Sequence, residues 1–274
     1  MMNSKLKDIL LYFAVFFLLQ LVATAIVMGG GIIVSHEVSE KLSPFEMLLV
    51  EGIFALLVIV WFLWRRWTPV GRNWLQTRPY SVMAWSAIAA LGTVVPSIWL
   101  QEYLTFLPDL ASEGLMDLIM QKGGYFVIAI LVPLSEEIVF RGAILRSLLG
   151  HAPSVGTSVG DASTGLAPWT AILLSALIFG LAHLNPAQLP HAFLLGLLLG
   201  WVYARTRSIV PGVIIHVVNN SATYLLARFY ANTPDITLEQ ILGSGRQVAL
   251  AVAFSLCILL PALFQLHQRM TTAK

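Results

Sequence analysis

The feature that most constrains this chain is a series of apolar stretches, each near the length a helix needs to cross a hydrocarbon core about 30 Å thick. Eight are read, at about 9–31, 47–64, 81–101, 124–148, 168–184, 187–204, 209–230 and 247–266. Backbone N–H and C=O groups meet no water in lipid, so each stretch must close its hydrogen bonds within a helix. The predicted fold class is therefore all-α: a polytopic integral membrane protein of about eight transmembrane helices, one membrane domain over 1–274. Composition agrees, because only 11% of the residues are charged, against about 25% in soluble domains.

The first three spans and the last are plainly apolar, whereas the fifth to seventh are shorter and carry polar residues. The stretch from Gly150 to Pro168, rich in Gly, Ser and Thr, reads as a loop. Lys5 and Lys7 precede an apolar run from Ile9 to about Val34. That run exceeds the roughly 7–15 residues of a signal peptide's apolar region and reads as a retained first span. A single cysteine, Cys257, excludes an intramolecular disulfide and a cysteine-based zinc cluster. A net charge of +2 with no basic run gives no reason to expect nucleic acid as a partner.

Topology follows from the cations. With both termini cytoplasmic, Lys5, Lys7, Arg65, Arg66, Arg72, Arg78, Arg141, Arg146, Arg205, Arg207, Arg269 and Lys274 fall toward the inner side. Only Lys41, Lys122, Arg228 and Arg246 fall outside, as the positive-inside rule expects. The outer loops then carry mainly acids: Glu37, Glu40, Glu46, Glu102, Asp109, Glu113, Asp117, Asp235 and Glu239. The expected location is an integral membrane, the plasma membrane if the source is bacterial.

A charge near the bilayer centre costs at least about 2.5–3.5 kcal/mol, so each one needs a reason. The fourth span carries Glu136, Glu137 and Arg141, the fifth ends at His183, and the seventh holds His216, Asn219 and Asn220. Glu137 and Arg141 are four residues apart, share a helical face and read as a positioning ion pair. Glu136 lies about 100° around the axis and is left for chemistry. His216 and Asn220 share a face one turn apart, and Asn219 reads as a packing or hydrogen-bonding residue. One carboxylate, two imidazoles and a carboxamide offered to a common interior suit hydrolysis. Glu136 would act as general base, with a histidine and an amide donating to the oxyanion. Alternatively, Glu136, His183 and His216 would hold a divalent metal such as zinc with an open water position. The residues leave both versions open, and the His-Glu-x-x-His signature is absent.

Three motifs, Glu136-Glu137-x-x-x-Arg141, Phe179-x-x-x-His183 and His216-x-x-x-Asn220, lie in separate apolar helices. Their set and order resemble those of the CAAX-protease and bacteriocin-processing family, the intramembrane endopeptidases that include type II CAAX prenyl proteases. The resemblance runs over 136–220, inside a catalytic core expected at 124–230, and is silent on the first three spans and the last. It implies that Glu136 and His183 activate water while His216 and Asn220 stabilise the oxyanion or help hold a metal. Glu137 and Arg141 would be structural. The implied enzyme is a glutamate-dependent endopeptidase, a metalloprotease if a metal takes part, acting on a membrane-associated or lipidated peptide or protein.

Two rival functions use the same residues: a proton- or solute-coupled transporter, and a catalytically idle membrane scaffold. No internal repeat favours the transporter. Glu51, in the second span, has interfacial, helix-pairing and pathway-lining roles open to it. His191 reads as structural, Gly196 with Gly200 as a close helix-packing seam, and His36, His151 and His267 as loop or terminal residues.

Overall fold

The computed structural model describes residues 2–35, 41–69, 71, 77, 79–150, 165–233 and 236–270. His36, His151, Glu37, Glu40, Arg72, Arg78, Asp235, Lys274 and residues 151–164 of the predicted 150–168 loop lie outside the described residues.

The chain is an all-helical polytopic membrane protein, with no strand among the described residues. Its helices are α1 (Met2–Ser35), α2 (Pro44–Trp64), α3 (Ser81–Tyr103), α4 (Ser112–Met120), α5 (125–148), α6 (Pro168–Ala182), α7 (Leu189–Thr206), α8 (Val210–Phe229), α9 (Leu238–Leu242) and α10 (Gly245–Arg269). Eight of them match the predicted spans, and α4 and α9 are short additions between spans. Among the described residues, five are long and apolar enough to cross a membrane: Leu6–Ile33 within α1, then α2, α3, α8 and α10. The others depart from a plain span for physical reasons. With 15 residues, α6 rises only about 22 Å at 1.5 Å per residue. Helix α5 is interrupted twice: a π-helical run Tyr125–Leu131, an α turn Val132–Glu137, a second π run Ile138–Leu145, then Arg146–Leu148.

Local chemistry sets the helix starts. Pro44, Pro168, Pro190 and Pro211 occupy the first turns of α2, α6, α7 and α8, where a missing N–H costs nothing. Ser43 and Glu46 form a reciprocal capping box at α2, with Glu46 N–H donating to Ser43 Oγ at 3.3 Å and Ser43 N–H to Glu46 Oε2 at 2.8 Å.

Two apolar clusters flank the centre. The first joins α1, α2, α5, α6 and α7 through an aromatic relay. Phe16 stacks edge-on against Phe54 at 4.9 Å and Phe140 at 5.4 Å, and Phe140 meets Phe179 at 5.1 Å. The second joins α3, α7, α8 and α10 through Ala89, Ala90, Leu199, Ile215 and Ala262. At its tightest point a Cβ on Gly92 would stand 2.8 Å from the Leu259 backbone. Gly196 and Gly200 of α7 face α6 closely, a Cβ there meeting Ala176 at 3.0 Å and Ile172 at 3.1 Å. Large apolar side chains such as Leu21, Val60, Leu194, Phe254 and Phe264 remain exposed, as lipid-facing surfaces require.

Candidate active site

The widened turns of α5 prepare the site. A π run weakens the regular ladder, a feature frequent at functional sites. Carbonyls of these runs accept from side chains of neighbouring helices and loops. Thr68 Oγ1 donates to the Ile138 carbonyl at 2.6 Å, Ser175 Oγ to Phe140 at 3.2 Å, and Asn220 Nδ2 to Ile128 at 3.4 Å. The single α turn between the two runs carries Glu136 and Glu137, so the acids are pinned from both sides.

Arg141 Nη1 donates to Glu137 Oε1 at 2.9 Å, and both side chains are fully buried. Arg141 Nη2 reaches the Gly196 carbonyl at 3.4 Å, and its guanidinium lies 4.3 Å from the Phe179 ring centroid. Glu137 does more than the helical spacing indicated, because its Oε1 also stands 3.2 Å from His216 Nδ1. The other ring nitrogen, Nε2, faces Glu136 Oε2 at 3.5 Å. One imidazole on α8 is thus held between two adjacent carboxylates of α5. His216 is 3% exposed and Glu136 is 14% exposed, so of the two acids Glu136 is the one left accessible. Room for Glu137 comes from Gly212, one turn before His216, where a Cβ would approach Glu137 Oε2 to 2.8 Å.

His183 caps the C-terminus of α6, and its Nδ1 lies 2.9 Å from the Phe179 carbonyl. Its ring stacks edge-on with Phe179 at 5.0 Å, and Phe179 meets His216 at 5.7 Å. Phe179 is therefore the common wall between His183, His216 and Arg141. The turn after His183 is fastened. Leu184 takes a left-handed φ of 51°, at a cost of roughly 1–2 kcal/mol for a side chain with a Cβ. Buried Asn185 then donates to Asp109 Oδ1 at 2.9 Å and accepts from the Leu110 N–H at 3.1 Å.

Asn220 is half-buried and bonds the α5 backbone rather than an ionisable group, while buried Asn219 accepts from Thr93 Oγ1 at 3.3 Å. Two residues left outside the site by their sequence stand beside it. His191, in the first turn of α7, interacts electrostatically with both His183 and His216. Glu51 of α2 accepts from Gln20 Nε2 of α1 at 3.1 Å, and α2 packs against the turn that carries Glu136. Their signal was present, since an ionisable residue inside an apolar helix marks function by default.

A zinc site would need Glu136, His183 and His216 around one point. His183 Nδ1 is turned to a carbonyl, and both His216 nitrogens face carboxylates. No three His, Cys, Asp or Glu side chains gather as a metal-holding group among the described residues. No step is therefore derived through a metal.

Fold and site together define a multi-span membrane protein with an acid–imidazole centre buried among its helices. Residues 120–222, a span that includes all three motifs of this sequence, match the family model described as type II CAAX prenyl endopeptidase Rce1-like. Over that segment the chain is similar to CAAX-type intramembrane proteases. A curated relative, UPF0177 protein YxdF of Lactococcus lactis subsp. lactis (strain IL1403), is 27% identical over 127 residues, which is 44% of this chain. The match spans 60% of that relative's length. No solved structure matches the chain.

Proposed function

We propose that this protein is an intramembrane endopeptidase in which Glu136 activates water for attack on a peptide bond of a membrane-associated substrate. The observation that carries the reading is the asymmetry of the two acids around His216. Glu137 is sealed against Arg141 and orients one ring nitrogen, while Glu136 faces the other and keeps an accessible edge. Glu136 takes a proton from water as the water oxygen bonds to the scissile carbonyl carbon. That proton then passes to the leaving amine nitrogen as the C–N bond breaks. His183, whose Nε2 is the ring nitrogen turned away from Phe179, shares in holding the water. His216 and the Asn220 amide are the donors for the oxyanion. Residue roles in this scheme rest on the geometry of the carboxylates and imidazoles and on the order of the three motifs.

The substrate class is a peptide or protein segment delivered in or at the bilayer, lipidated or not. Both termini are proposed to be cytoplasmic on the charge distribution. The test of sidedness is labelling of single cysteines placed at each end after Cys257, which is exposed, is replaced by Ser. Labelling of either end from the far side overturns that topology. The test of function is cleavage of a peptide library by the purified full chain in detergent, against Glu136→Gln, His183→Ala and His216→Ala. Wild type is expected to cleave and each folded variant to fail. Variants that cleave like wild type would remove these residues from the mechanism.

A further inference from the structure

Glu51 is absorbed neither by the ion pair nor by the three motifs. It sits half-buried in the apolar helix α2, and among the described residues its bonded neighbour is the Gln20 amide of α1. A carboxamide orients a carboxylate but does not neutralise it. The charged groups around the centre are Glu51 on α2, Glu136, Glu137 and Arg141 on α5, His183 ending α6, His191 on α7 and His216 on α8. Arg141 is committed to Glu137 at 2.9 Å, and His216 lies between Glu136 and Glu137. Three carboxylates thus share one guanidinium. Glu51 is the carboxylate with no cationic partner among the described residues. A carboxylate held inside a membrane protein calls for an opposite charge. Its second oxygen accepts no hydrogen bond among the described residues, and α2 packs directly against the turn Val132–Glu137 that carries the water-activating Glu136.

We propose that Glu51, aimed by Gln20, is a specificity residue that receives a basic side chain of the substrate next to the scissile bond. The proposal rests on the endopeptidase reading above. Its substrate class is a membrane-associated peptide with Lys or Arg within a residue or two of the cut. A neutral or acidic residue there would leave Glu51 desolvated and unpaired, which discriminates against such peptides by a cost rather than by a missing attraction.

The experiment uses the purified full chain in detergent and peptides carrying Arg, its neutral isostere citrulline, or Glu at the positions flanking the cleaved bond. The readout is the ratio of kcat/KM values within each enzyme, which cancels differences in active fraction. Wild type should prefer Arg over citrulline by roughly tenfold or more. In Glu51→Gln, which keeps the shape and a hydrogen bond to Gln20, the ratio should fall to about one. Glu51→Arg should turn the preference toward Glu. If wild type cleaves Arg and citrulline peptides equally, or Glu51→Gln keeps the preference, the specificity role is overturned and the endopeptidase reading stands. If wild type cleaves none of the peptides, the endopeptidase reading falls and the specificity role with it.

Discussion

The α5–α8 seam and the α3–α10 seam cross the same apolar environment, yet they are built on opposite principles. Between α3 and α10 the contact is made by smallness: Gly92 admits the Leu259 backbone, with Ala89, Ala90 and Ala262 buried around it. Between α5 and α8 the contact is made by charge, with Glu136, Glu137 and His216 buried against one another and Arg141 behind them. Replacing a buried ion pair by apolar residues of similar volume is often neutral or stabilising. Packing would therefore have served α5 and α8 as it serves α3 and α10. On the proposed function, the charged seam is where the protein gives up stability for chemistry.

The largest effect expected from this contrast belongs to Glu136. Glu136→Gln preserves shape while removing the base, so kcat should fall by about 10²–10⁴, with the thermal unfolding midpoint in detergent little changed. A parallel loss of folding would mean that Glu136 holds the seam together, and the distinction between the two seams would fail. Arg141 should behave in the reverse sense. Arg141→Met strands buried Glu137 without its cation, which costs on the order of 3–5 kcal/mol in comparable buried pairs. Denaturation should report that loss, and the folded remnant should be inactive because His216 loses its anchored partner. Glu137→Gln with Arg141→Met, removing both charges, should recover much of the stability and none of the activity.

Much of this was legible before any coordinates. Span positions follow from hydropathy, because lipid forces every apolar run to be helical, and α1 to α3 and α10 fall where length and composition put them. The i to i+4 spacing of Glu137 and Arg141 likewise anticipates their ion pair. Less legible was Glu137's second contact with His216, a bond across 79 residues of sequence. It depends on the packing of α5 against α8, which helical spacing cannot supply. The π runs around the acids were equally hidden, since a run such as Tyr125–Leu131 is as apolar as any α-helical span. Glu51 and His191 were left aside because their significance lies in neighbours on other helices.

Two glycines sharpen the comparison with the same substitution. A Cβ at Gly212 would press on Glu137 Oε2, and a Cβ at Gly92 on the Leu259 backbone, both at 2.8 Å. Overpacking costs typically about 1–3 kcal/mol, so Gly212→Ala and Gly92→Ala should destabilise to a similar degree. Their activities should diverge. Gly212→Ala displaces the carboxylate that orients His216 and should lower kcat by more than tenfold per folded molecule. Gly92→Ala separates two helices that carry none of the acids and should leave the rate per folded molecule near that of wild type. Equal losses in both would show that the charged seam responds to global strain rather than to the position of Glu137.

The smallest expected effect tests the bond that joins the two regions. Thr93 of α3 donates to the Ala90 carbonyl at 2.7 Å and faces Asn219 Oδ1 of α8 at 3.3 Å, three residues beyond His216. Thr93→Val keeps the volume and removes the hydroxyl, which should cost about 0.5–1.5 kcal/mol. Because Asn219 points toward α3 and not toward the acids, cleavage by the folded variant should stay within a few-fold of wild type. Suppose instead that cleavage drops by a factor of ten while unfolding is barely altered. The seam built by smallness would then set the register of the seam built by charge, and α3 with α10 would belong to the catalytic machinery as its alignment frame.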